Sequence, residues 1–130
     1  MDAQNKRFVD KTSLNPLCAG ASGAIISNVY DLKKYLRSMY NSAKDTPRLK
    51  TYPFNGAPHW VRYGEGIVKM GSFWGHNGTI FGFSSELWYL PEKDAVIVIN
   101  VNRLDRDDKS KSSKIFTDIT RILFPKYIKW

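Results

Sequence analysis

The chain has little with which to cross-link itself or hold a metal. Its 130 residues include one cysteine, Cys18, so an internal disulfide is excluded. Cys18, His59 and His76 are the only soft ligands, too few and too scattered for a structural zinc site; no metal or other cofactor is expected. Long apolar runs are also missing. The longest, Ala95 to Ile99, falls far short of the ~20 residues of a membrane span, and no span is expected. Met1-Asp2-Ala3-Gln4-Asn5-Lys6-Arg7 has no apolar stretch behind its charges and does not read as a signal peptide. There is no internal repeat and no low-complexity tract. What is present is ordinary: 42% hydrophobic and 25% charged residues exclude wholesale disorder, and the length suits one domain.

The net charge of +8 invites a nucleic-acid reading, and its distribution argues against one. Residues 1–50 hold 9 Lys/Arg against 4 Asp/Glu, residues 51–102 hold 3 against 4, and residues 103–130 hold 8 against 4. The positive charge therefore lies at the two ends. The middle, where glycines, aromatics and strand signals concentrate, is nearly neutral. A nucleic-acid surface would interleave basic and aromatic residues on one element. Solvated helix faces account for the ends more simply, and no nucleic-acid partner is expected.

Residues 1–22 show no sustained period and read as an irregular lead-in. Ser27 or Asn28 can cap a helix in which Val29, Leu32, Leu36, Met39 and Tyr40 form one apolar stripe. Asn41-Ser42 can end that helix, and Tyr30, Tyr35 and Tyr40 read as residues that pack it. Lys44 to Pro58, with three prolines, reads as a long loop. Tyr63 to Met70 reads as one strand weakened by two glycines, and a further strand starts near His76 and breaks at Gly82. Phe83 to Leu90 alternates, Pro91-Glu92-Lys93-Asp94 is a turn, and Ala95-Val96-Ile97-Val98-Ile99 reads as a strand buried on both faces. These last two runs make an antiparallel hairpin. Arg103 to Ser113 is charged and carries residues able to start a helix. Ile115, Phe116, Ile119, Ile122 and Leu123 then fall on one helical face, stopped by Pro125.

The fold class is α+β: an antiparallel meander of at most four strands, with the C-terminal amphipathic helix on one face. The helix at residues 28–41 remains to cover the other. At least one sheet edge stays open, and the chain reads as short of cover. Residues 1–130 are expected to form a single partial domain.

The chemistry concentrates in Trp74-Gly75-His76-Asn77-Gly78-Thr79-Ile80-Phe81-Gly82-Phe83. It lies between Ala24-Ile25-Ile26-Ser27-Asn28-Val29-Tyr30-Asp31-Leu32 and Tyr63-Gly64-Glu65-Gly66 upstream, and Leu90-Pro91 before an apolar strand downstream. This ordered set, over about residues 20–124, resembles the C-terminal part of the serine β-lactamase-like family: class C β-lactamases, D-alanyl-D-alanine carboxypeptidases and related esterases. The resemblance implies a partial β-lactamase/transpeptidase-like fold. It also implies that His76-Asn77-Gly78 is the family's third motif, on the strand that walls the active cleft. His76 would bind a substrate carboxylate or assist proton transfer. Gly78 would let substrate backbone approach, and the Thr79 amide would be the second oxyanion-hole donor. Asn77, within the same substrate-binding motif, would turn its side chain away. Beside this stands a structural reading, in which Gly75, Gly78 and Gly82 permit turns and bulges and His76 is a hydrogen-bonded histidine at a strand end.

The family's nucleophile is missing. No serine here is followed three residues later by lysine, and Tyr-x-Asn is absent. Ser13-Leu14-Asn15 mimics a Ser-x-Asn variant but lies too close to Ala24–Leu32 for the family layout. Glu65, Glu86 and His76 show no spacing that supports an acid/base set, and Cys18 has no partner motif. The chain is therefore expected to be the C-terminal portion of a serine hydrolase, inactive alone, whose complete form takes a small-molecule or peptide substrate. The rival expectation is a non-catalytic module that pairs, or self-associates, through its open sheet edge. Complete family members are often exported or periplasmic; the chain itself assigns no location.

Overall fold

The structure, a computed structural model, describes residues 9–103 and 111–130. Its elements are α1 (Val29–Ala43), β1 (Tyr52–Pro53), β2 (Val61–Tyr63), β3 (Val68–Met70), β4 (Phe73–Ile80), β5 (Phe83–Leu90), β6 (Ala95–Val101) and α2 (Lys111–Leu123). Short 3-10 turns occupy Pro16–Ser22, Pro47–Leu49 and Pro91–Lys93. The strands form one antiparallel sheet in chain order, β1 to β6. The α+β class and the meander follow expectation, but among the described residues the sheet has six strands rather than at most four.

The extra strands come from two places. Tyr63 to Met70 is not one strand: the chain reverses at Gly64–Gly66, where Gly66 takes a φ of +69°, and β2 and β3 pair as a hairpin. Part of the expected loop at 44–58 adds β1, a two-residue edge strand on which Pro53 sits where a missing N–H is tolerated. β4 begins at Phe73, three residues before the expected start. Part of the lead-in is ordered too. Asn15 accepts a hydrogen bond from the Leu17 amide at 2.9 Å and starts the turn at Pro16–Ser22. The expected helix-start region falls largely at 104–110, outside the described residues.

Helix α1 is capped by Asn28. Its Oδ1 accepts from the amides of Tyr30 and Asp31, and its Nδ2 donates to Asp31 at 2.7 Å. The apolar stripe turns Leu36 and Tyr40 to the sheet, with Tyr40 against Trp74 and Tyr89 at ring distances of 6.0 and 5.3 Å. Tyr30 and Tyr35 lie on the solvent side and are exposed, so only Tyr40 of the three tyrosines packs the helix. Arg37 reaches the β5–β6 turn, donating from Nη2 to the Asp94 carbonyl at 2.8 Å and to its carboxylate at 2.9 Å.

Residues paired across neighbouring strands share a face, so the register sorts the side chains. Trp88 and Leu90 face α2; Leu87 and Tyr89 lie on the α1 side. The core is on the α2 face. Trp88 stacks on Phe116 at 5.2 Å, and Phe73 meets Phe116 and Phe124 edge-on. The C-terminal segment closes this layer: Ile128 is buried, and the Ser72 amide donates to the Tyr127 carbonyl at 2.8 Å. Both helices cover β6 as expected, yet only Ile97 of that strand is buried, because among the described residues β6 is the last strand of the sheet rather than an interior one. Phe81, at a turn tip, is exposed and lies outside the core.

One buried carboxyl lies within this packing. Glu86 is 2% exposed. It accepts from Trp88 Nε1 at 2.6 Å and from Ser113 Oγ at 2.5 Å, in the first turn of α2, where a carboxylate also meets the positive end of the helix dipole. Burial raises its pKa above the ordinary glutamate value, against the opposing pull of Ser113, Trp88 and Ser112. The folded state then binds a proton that the unfolded state has already released, so stability falls as pH rises from the ordinary value of 4.5 through the raised one. In Glu86→Gln this contribution is absent. Urea unfolding should show wild type gaining on the variant as pH is lowered through that window; a gain on raising pH would contradict the burial argument.

Candidate active site

His76, Asn77, Gly78 and Thr79 lie on β4, beyond the point where its neighbour β3 stops. β5 runs beside β4 from Trp74 to Ile80, whereas β3 pairs only with Phe73, Trp74 and Gly75. From His76 to Ile80, therefore, one side of β4 faces β5 and, among the described residues, no strand occupies the other. Two-residue turns bound β4: Gly71–Ser72, pairing Met70 with Phe73, and Phe81–Gly82, pairing Ile80 with Phe83. A two-residue loop makes its flanking pair exchange both hydrogen bonds, and the exchanging pairs then alternate. Both turns lead to the same parity. His76, Gly78 and Ile80 turn their amides to β5, while Asn77 and Thr79 turn theirs to the open side.

Side chains sort just as sharply. His76 pairs with Leu87 and lies on the α1 side; Asn77 pairs with Glu86 and its side chain lies on the α2 side, so only its backbone reaches the open edge. Thr79 likewise contributes its amide there rather than its side chain. The ring of His76 is held at both nitrogens. Nδ1 is 2.5 Å from the Asn77 carbonyl oxygen, and Nε2 is 2.7 Å from the Tyr63 hydroxyl. A carbonyl only accepts, so Nδ1 carries the proton, and in the neutral ring Nε2 accepts from Tyr63. Tyr63 stands edge-on to the imidazole, with ring centres 5.5 Å apart, and Phe54 backs it at 5.8 Å. Sequence reasoning missed Tyr63. The signal was the Gly64-Glu65-Gly66 reversal, which brings the end of β2 alongside β4.

Among the described residues, Glu65 and Glu86 form no acid/base set with the histidine. Glu86 lies on the opposite sheet face beneath α2, and Glu65 is exposed in the reversal. Cys18 is exposed in the 3-10 turn. Among the described residues no group of His, Cys, Asp and Glu could hold a metal, and no helix is long and apolar enough to cross a membrane.

The three motif glycines differ in what the fold asks of them. A Cβ on Gly75 would collide with the Leu87 carbonyl oxygen, and Gly82 takes a φ of +86° in its turn. At Gly78 a Cβ would meet only the Ser85 hydroxyl, at 2.8 Å, the end of a side chain that can turn away. The fold thus explains Gly75 and Gly82 and leaves Gly78 without a comparable requirement. Gly75→Ala should cost about 1–3 kcal/mol in chemical denaturation and Gly78→Ala less than about 1 kcal/mol. Equal losses would mean that Gly78 is as structural as Gly75.

No curated protein matches the sequence. The Beta-lactamase family matches it over residues 1–117, most of the chain. The α+β architecture is in keeping with that match, which establishes the assignment: this chain belongs to the Beta-lactamase family.

Proposed function

We propose that the chain supplies the cleft strand of a serine hydrolase of the β-lactamase/D-Ala-D-Ala carboxypeptidase type, acting through an acyl-enzyme. The observation that carries this reading is the open side of β4 at His76–Ile80, toward which the Thr79 amide points. An extended substrate added along that side would place its carbonyl oxygen at the Thr79 N–H. Gly78 would keep the approach clear. The attacking serine and its lysine have no match within these 130 residues, so in this reading they come from protein outside this sequence. Serine Oγ would add to the substrate carbonyl, the leaving group would depart with a proton, and water would release the acyl group. A β-lactam, a D-Ala-D-Ala peptide and a small ester all fit this chemistry.

Two measurements test the reading. The chain alone, incubated with a penicillin or an activated ester, should gain no covalent mass; a stoichiometric adduct would place a nucleophile inside it. In protein that includes the nucleophile, Thr79→Pro should fold normally, since its N–H lies outside the β4–β5 ladder. It should also acylate about 10²–10³-fold more slowly. Unchanged acylation would remove Thr79 from the mechanism.

A second reading rests on β6, which among the described residues ends the sheet, with seven residues that carry neither proline nor lysine to discourage pairing. As an interaction module the chain would dimerise or capture a strand there. Light scattering that returns a monomer at high concentration would contradict it.

A further inference from the structure

By family resemblance, His76 itself would bind a substrate carboxylate. The local geometry points elsewhere. A neutral imidazole has one donor and one acceptor. Here the donor, Nδ1–H, is held by the adjacent Asn77 carbonyl, and the acceptor, Nε2, receives the Tyr63 hydroxyl proton. Neither nitrogen is left for a ligand. The Tyr63 oxygen, donating its only O–H to Nε2, keeps two lone pairs and has no further donor. Tyr63 is 37% exposed, and its hydroxyl meets His76, the first residue of the open side of β4.

We propose that the polar group offered to a ligand at this end of the β4 edge is the Tyr63 hydroxyl oxygen, offered as an acceptor. The site would then take a ligand hydrogen-bond donor there, such as an amide N–H or a hydroxyl, in preference to a carboxylate. His76 is the positioning residue: by accepting from Tyr63 it fixes which way the hydroxyl points. Phe54, against the Tyr63 ring, limits its swing. A carboxylate brought to the same point would set its own lone pairs against those of the tyrosine oxygen, with no proton between them. The inference rests on the hydrolase reading for the location of the substrate edge, and its test does not depend on turnover.

The test uses the 130-residue chain labelled with nitrogen-15, with His59→Gln to assign the two histidines. It is run at a pH where the ring resonances report the neutral form. His76 should carry its proton on Nδ1, and in Tyr63→Phe the Nε2 resonance should move toward that of an unbonded nitrogen while Nδ1 stays. The wild-type chain is then titrated with N-acetyl-D-alaninamide and with N-acetyl-D-alanine. The amide should shift the Tyr63 ring and His76 Nε2 resonances at a concentration about tenfold below that needed for the carboxylate. Tyr63→Phe should erase that difference. A proton on Nε2, a stronger response to the carboxylate, or no response to the amide would each overturn the proposal. The hydrolase reading fails separately, by absence of acylation in nucleophile-bearing protein.

Discussion

The seven-residue pairing of β4 with β5 is the constraint on which everything else in this molecule depends. Because side chains alternate along a strand, that register decides which residues reach α1 and which reach α2. Because hydrogen-bonding pairs alternate as well, it also decides which amides of β4 are spent inside the sheet and which point out of it. With β5 held in place, a slip of β4 by one residue would turn His76 toward α2, onto the face that carries Glu86, and bury the Thr79 amide against β5. The register is well secured. Turns bound β4 at both ends, Trp88 and Leu90 are locked into the core beside Phe73, and Gly75 accepts a backbone approach that leaves no room for a Cβ.

The two faces of the sheet divide the work. The α2 face holds the aromatic core and Glu86, whose carboxyl joins the sheet to the first turn of α2 through Trp88 and Ser113. The α1 side carries lighter packing around Tyr40, and the His76–Tyr63 pair meets at the edge of β4, where Tyr63, in register with Val68 and Gly75, reaches the His76 ring beyond the end of β3. Chemistry at the β4 edge can therefore vary without disturbing the core. The same division explains why Glu86 and His76, ten residues apart on neighbouring strands, do not form an acid/base pair.

Much of this was legible before any coordinates. Periodicity placed α1 and α2, alternation placed β5, and the Pro91–Asp94 turn joined β5 to β6. Gly75 to Gly78 stood out by their order among the flanking segments, and the match to the Beta-lactamase family agrees with the family resemblance read from that order. What escaped has local causes. Strands of two or three residues, such as β1 and β2, are too short to show a period, and the reversal at Gly64–Gly66 resembles a glycine-weakened strand. The role of Tyr63 was hidden by the same misreading, since only the β2–β3 hairpin carries it to His76. The continuous apolarity of Ala95–Ile99 suggested an interior strand, yet β6 stands at the edge of the described sheet and is mostly half-buried.

Amide hydrogen exchange along β4 tests the central claim most directly, because it reads the direction of each N–H without substrate or nucleophile. With an open side at His76–Ile80, the Gly78 and Ile80 amides should be protected by β5, while those of Asn77 and Thr79 exchange at rates near those of unstructured chain. Uniform protection from residue 76 to 80, with Thr79 as slow as Gly78, would mean that the edge is closed and that the Thr79 amide is not free to meet a substrate.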